Sequence, residues 1–311
     1  MRIGVPDLIS NSYFPAVAAG ELGFFKAEGV DAELLHVYPM PKMMEALRDK
    51  ELDLVAGSAH AVLGAFPGWK GAKLIAALAQ KTYWLLILRS DLGAALGDVQ
   101  AVRGLRIGAA PGPELALRGL LAEAGIDLEK DKVDIRPVPG ARGSGVSFGV
   151  HAAQLLKEGT IDGFWANAMG SEVAVRSGAG TVVLDVRRGI GPPASQYFTF
   201  AALVATDRLI VDDPKGVAAS VSAIVKTQKA LQQNPALATE VGNRLFPESE
   251  AELIAGLVER DLPYYDSDIS EDVVDSLNRF AVSIGLLSAP DADAISYDDV
   301  VATQFRYLWR D

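Results

Sequence analysis

The sequence predicts an α/β protein of two similar parallel-sheet lobes, because one strand–loop–helix–strand pattern occurs in it twice. Three matches in the same order carry this expectation. Met1-Arg-Ile-Gly-Val5 returns about a hundred residues later as Leu105-Arg-Ile-Gly-Ala109. Gly29-Val-Asp31 returns as Gly125-Ile-Asp127. Ala46–Val55 returns as Leu155–Phe164, each a helix end, a turn and a strand opening at an aspartate, Asp53 or Asp162.

Each element follows from local pattern. The first strand leads into the polar loop Pro6–Ser12 and then a helix with Phe14, Val17, Ala18, Leu22 and Phe25 on one face. In the second copy the loop Ala110–Glu114 leads to Leu115, Leu117, Leu120 and Leu121. Each helix is expected to stop at a glycine in a left-handed cap, ahead of strands Ala32–Val37 and Val133–Val138. A third strand of the first copy spans Leu52–Ala56. Lys81–Arg89 and Gln196–Ala205 are apolar, aromatic and β-branched, and read as strands crossing between lobes. The expected partition is 1–87 with 199–311 as lobe 1, and 88–198 as lobe 2. Beyond Pro214 the pattern is helical, over Val217–Gln232, 251–260 and 271–287, and these helices are expected on lobe 1.

Composition excludes several classes. The chain has 311 residues, about two domains' worth, and 50% hydrophobic with 22% charged residues is globular. No apolar run approaches the roughly 18 residues that span a bilayer, so no membrane insertion is expected. Forty acidic against 29 basic residues give a charge of −11 without a Lys/Arg cluster, which argues against a nucleic-acid partner. There are no cysteines, so disulfides and thiol chemistry are excluded, and no metal or cofactor is expected. Met1 leads directly into strand-like sequence with no secretory signal ahead of it. The expected location is the cytoplasm if Met1 is the natural start, and the periplasm or cell exterior if an export signal has been removed.

Leu22-Gly-Phe-Phe-Lys-Ala-Glu-Gly-Val-Asp-Ala-Glu33, the segment Ala46–Val55, the turn 159–162 and Arg106-Ile-Gly-Ala-Ala-Pro-Gly112 resemble the signature of a known family. It comprises the sulfonate/nitrate/taurine-binding proteins and their relatives that bind thiamine pyrimidine precursors. The resemblance covers most of residues 1–205. It implies a type 2 periplasmic-binding-protein fold, two crossing strands as a hinge, a ligand held between the lobes, and service to an ABC permease, as a monomer. Lys50 departs from the family, which has a glycine there, and implies a small backbone adjustment. Some relatives are enzymes, including a desulfinase that needs a cysteine this chain lacks.

In open α/β sheets ligands bind beyond the carboxyl ends of the strands. Four loops qualify. In Asp7–Tyr13, Ser10, Asn11 and Ser12 are helix caps or ligand contacts at even odds, with Asp7 and Tyr13 beside them. In Gly57–His60, Ser58 resembles the small hydroxyl that contacts ligand in the family, and His60 has no apolar face to join. In Ala110–Glu114, Gly112 lets the backbone approach a ligand, with Pro111 beside it as a further candidate, while Glu114 reads as a surface charge favoured by the helix dipole. In Phe164–Asn167, Trp165 offers a flat wall and Asn167 an amide, with a core tryptophan as the equal alternative.

Tyr83, Trp84 and Tyr197 add aromatic area suited to an aromatic or heterocyclic ligand. Gly140–Ser147 is glycine-rich but lacks the Gly-Lys-Ser/Thr of a phosphate loop, and reads as a loop carrying Arg142 and Ser144. Arg142, Lys42 and Lys81 are the basic candidates for a ligand carboxylate or sulfonate, against a competing reading as solvated charges. The expected function is binding of a small, anionic or aromatic molecule. The alternative is a cytoplasmic decarboxylase, dehydratase or hydrolase with His60 as acid–base. Against that alternative, the sequence has no H-E-x-x-H and only three histidines.

Overall fold

A computed structural model of the protein describes residues 1–140 and 147–310. It divides into two compact units, Met1–Lys81 with Thr199–Asp311, and Thr82–Phe198. The described strands are β1 (Arg2–Val5), β2 (Glu33–His36), β3 (Leu54–Ser58), β4 (Ala72–Ala79), β5 (Leu85–Arg89), β6 (Arg106–Ala109), β7 (Asp134–Arg136), β8 (Gly163–Ala166), β9 (Gly180–Asp185) and β10 (Ala201–Thr206). Unit 1 holds the sheet β2-β1-β3-β10-β4 and unit 2 the sheet β7-β6-β8-β5-β9.

The two sheets share one topology. β1 lies parallel to β2 and β3, and β6 lies parallel to β7 and β8. Each sheet has one antiparallel strand between its third parallel strand and its edge: β10 in unit 1 and β5 in unit 2. That strand comes last along the chain in unit 1 and first in unit 2.

The sequence repeat has a physical basis in an ionic clasp that closes each sheet at its amino edge. The Asp53 carboxylate accepts from the Arg2 N–H at 2.8 Å and from its guanidinium at 3.1 Å. The Asp162 carboxylate accepts from the Arg106 N–H at 3.0 Å and from its guanidinium at 2.8 Å. The same arginines donate to the turn carbonyls of Lys50 and Gly159. Gly4 and Gly108 are required beside the clasps, since an added Cβ would stand 2.5 Å from Leu52 Cδ1 or Val138 Cγ1. Lys50 makes no backbone adjustment: at φ +67° it keeps the left-handed turn that Gly159 takes at +72°, at a cost of about 1 kcal/mol.

Hydrogen bonds from Arg106 hold the Asp162 carboxyl below its ordinary range, against the opposing effect of burial. A carboxyl whose folded value is depressed stabilises the fold above its unfolded value, and the contribution is lost as pH falls through the folded one. Asp162→Asn is therefore expected to lower Tm by a few degrees at pH 7, and the gap from the parent should close as pH drops below about 4. Thermal unfolding across that range measures it; a gap independent of pH would contradict the ionic account.

Helix Pro214–Gln233 is longer at its start than expected, and Glu248–Asp261 and Glu271–Ser283 occupy the other two helical stretches. They belong to unit 1, where Trp69 Nε1 donates to Asn278 Oδ1 at 3.0 Å and Trp309 Nε1 to the Ile75 carbonyl at 2.9 Å. The two strands expected at 81–89 and 196–205 are each shorter. Lys81 takes φ +64°, which breaks extended backbone, and β5 starts at Leu85. Pro193–Tyr197 is a 3-10 turn, and β10 starts at Ala201. The chain passes from one unit to the other at 81–82 and 198–199.

Candidate functional site

In unit 1 the carboxyl edge of the parallel strands gathers buried polar groups. Ser10, Asn11, Ser12, Ser58, His60 and Thr199 are each at most 1% exposed. Parallel strands end there with their carbonyl dipoles and loops converging, which is why polar side chains collect at this edge. None of Ser10, Asn11 and Ser12 caps the next helix: Phe14–Glu21 starts at Tyr13 with no side-chain cap. Instead Asp7 Oδ1 accepts from the Ile9 N–H at 3.0 Å and Ser10 Oγ from the Ser12 N–H at 3.4 Å, which folds the loop on itself. Tyr13 and Ser58 share a hydroxyl–hydroxyl hydrogen bond of 3.3 Å.

Asn11 is tied down from the far end of the sequence. Its Nδ2 donates to the Asp261 carboxylate, and its carbonyl accepts from the Tyr265 hydroxyl at 2.5 Å. Asn11 Oδ1 is buried with no hydrogen-bond partner among the described residues.

His60 differs from its expected surroundings. Its ring packs edge-on against Phe280, centroids 5.6 Å apart, so an apolar face does receive it. Its N–H donates to Thr199 Oγ1 at 3.3 Å, and Nδ1 shares a 3.0 Å hydrogen bond with the same oxygen. Lys42 is exposed on helix Met40–Arg48, and Lys81 places its ammonium 5.6 Å from the centre of the Tyr264 ring.

Unit 2 presents a more aromatic edge. Tyr83, Trp84 and Trp165 are buried and stacked in series, with centroids 4.5 and 6.0 Å apart. Trp165 Nε1 donates to the Pro113 carbonyl at 3.1 Å, so this ring is a core strut under the loop. Gly112, at φ +99°, caps helix Pro113–Glu123, with Pro111 partly exposed ahead of it. Asn167 caps helix Ala168–Arg176, its Oδ1 accepting from the Met169 and Gly170 N–H groups at 3.1 and 3.4 Å. Tyr197 is 44% exposed. Arg142 and Ser144 lie outside the described residues.

Several residues escaped the sequence reading. Glu114 is no surface charge: it is half-buried and its Oε2 has no partner among the described residues. Burial pushes its carboxyl above the ordinary range, against the N–H groups of Glu114 and Gly112 and the charge of Arg118. Arg187 is 2% exposed, its guanidinium 5.5 Å from the centre of the Tyr83 ring. Asp261 carried one readable signal, since an acid at the end of helix Glu248–Asp261 opposes the helix dipole and needs another reason to be there. Thr199, Tyr265 and Phe280 carried none.

Comparison with solved structures establishes the periplasmic-binding-protein fold. A protein of Bordetella bronchiseptica RB50 matches with a TM-score of 0.79 at 19% identity, over 99% of this chain and 96% of its own. The periplasmic nitrate-binding protein of Synechocystis PCC 6803 matches at 0.70 and 15% identity, over 99% and 86%. The alkanesulfonate-binding protein of Xanthomonas axonopodis pv. citri, bound to MOPS, matches at 0.69 and 15% identity, over 94% and 96%. No curated protein matches the sequence. A family model, that of the NMT1-like family, matches residues 1–245.

Proposed function

We propose, from the premise that the chain belongs to the NMT1-like family, that it is the substrate-binding component of an ABC importer and binds one small organic molecule. The observation that carries this reading is the set of buried polar side chains at the carboxyl edge of the unit 1 sheet, where open α/β sheets hold ligands. Small-molecule sites combine apolar walls with a few placed polar groups, and this edge gathers hydroxyls, an amide and an imidazole of that kind. Asp7, Ser10, Asn11, Ser12, Tyr13, Ser58 and His60 are the unit 1 candidates. Pro111, Gly112, Trp84 and Tyr83 are those of unit 2. The reading fits the solute receptors that share the fold, named for nitrate and alkanesulfonate.

The proposed place of work is the periplasmic side of a membrane, beside a permease. No helix among the described residues is long and apolar enough to cross a membrane itself. A thermal-shift panel of small sulfonates, carboxylates, pyrimidines and aromatic acids tests the reading. A true ligand at about a hundred times its Kd stabilises by roughly 2.7 kcal/mol, a Tm rise of several degrees. A flat response across the whole panel would count against a receptor.

A further inference from the structure

The unit 1 site contains an amide whose direction is fixed. A carboxylate accepts hydrogen bonds and does not donate them, so Asp261 can hold Asn11 only through Nδ2. Turning the amide over would set two acceptors against each other and forfeit a charge-assisted bond. Tyr265 holds the loop beneath it by donating to the Asn11 backbone carbonyl. Asn11, Asp261 and Tyr265 are 1%, 1% and 2% exposed.

What remains is an acceptor, Asn11 Oδ1, buried without a partner among the described residues. Such a group costs stability, and a native structure that keeps one needs a reason. The same pattern recurs in unit 2. There the loop after β6, the counterpart of the loop after β1, leaves Glu114 Oε2 buried and unpartnered among the described residues. Both unpartnered atoms are oxygens that take protons. Asp261 and Tyr265 lie beyond the 1–245 stretch matched by the family model.

We infer that Asp261 is a positioning residue that sets the polarity of recognition: by occupying Asn11 Nδ2 it presents Asn11 Oδ1, and the ligand is one that brings an N–H donor, an amine or a primary amide. This rests on the reading of the unit 1 edge as a small-molecule site. A bare oxyanion meets an acceptor there with a carboxylate behind it.

The test compares matched probes on the intact protein by thermal shift and calorimetry: benzamide against methyl benzoate, benzylamine against toluene, and methanesulfonate and nitrate as bare anions. Donor-bearing probes are expected to bind at least about tenfold more tightly than their donor-free counterparts, the value of one buried hydrogen bond. In Asp261→Asn the Asn11 amide is free to turn, and that preference is expected to collapse while the bare anions gain. Binding of methanesulfonate or nitrate to the parent, without preference for donors, would overturn the inference and leave the receptor reading standing. No binding by any probe, together with a flat response to the wider panel, would remove both. Unchanged selectivity in a folded Asp261→Asn would reject the role of Asp261. The parent's selectivity decides the ligand class even if the variant does not fold.

Discussion

Trp165→Ala is expected to destabilise unit 2 by about 3–5 kcal/mol, the range for removing a buried aromatic side chain. The ring is 1% exposed, lies against Trp84, and supports the Pro113 carbonyl at the start of a helix. The variant loses apolar burial, leaves a cavity and orphans a carbonyl at once. Trp165→Phe separates these effects. It retains most of the ring contact and removes the hydrogen bond, for an expected loss of about 1–3 kcal/mol. Urea denaturation followed by far-UV circular dichroism measures both. A wild-type midpoint for Trp165→Ala would mean that the residue is a ligand wall and not a structural strut.

The second large effect is expected at a helix crossing. Helices Phe148–Lys157 and Ala168–Arg176 approach through Gly149 and Gly170. A Cβ added at Gly170 would stand 2.3–2.5 Å from three backbone atoms of Gly149, and backbone cannot turn aside as a side chain can. The helices must separate, and Asn167, which caps one of them, must move with it. Gly170→Ala is expected to cost at least the roughly 1–3 kcal/mol of ordinary overpacking. Gly149→Ala is expected to be much milder, since its nearest neighbours stand at 3.2–3.3 Å. Equal melting temperatures for the two variants would show that the crossing is looser than described.

The repeat was legible because its marks are local: a glycine in a left-handed turn, an aspartate opening a strand, an arginine one strand away. The crossing segments were misjudged for the opposite reason. Tyr83, Trp84, Phe198 and Phe200 have strand-like composition, but they are buried by tertiary packing around turns, which overrides propensity. In the site, the loops were found from the ends of strands. The partners that give those loops their chemistry were not, because Asp261 meets Asn11 across 250 positions and no periodicity in either segment reports the other. Glu114 was read as solvated because charged residues are rarely buried, and it and Arg187 are exceptions.

The placement of the antiparallel strands has a consequence for biosynthesis. Unit 2 is one uninterrupted stretch, Thr82–Phe198, whose strands all become available together. Unit 1 receives four of its strands first and then waits for β10, which belongs between β3 and β4. Until the ribosome has delivered Ala201–Thr206, two apolar strand edges have no partner, while the later unit is already whole. The unit whose strands emerge first is thus the unit that finishes folding last, and its exposed edges are where a chaperone would be needed.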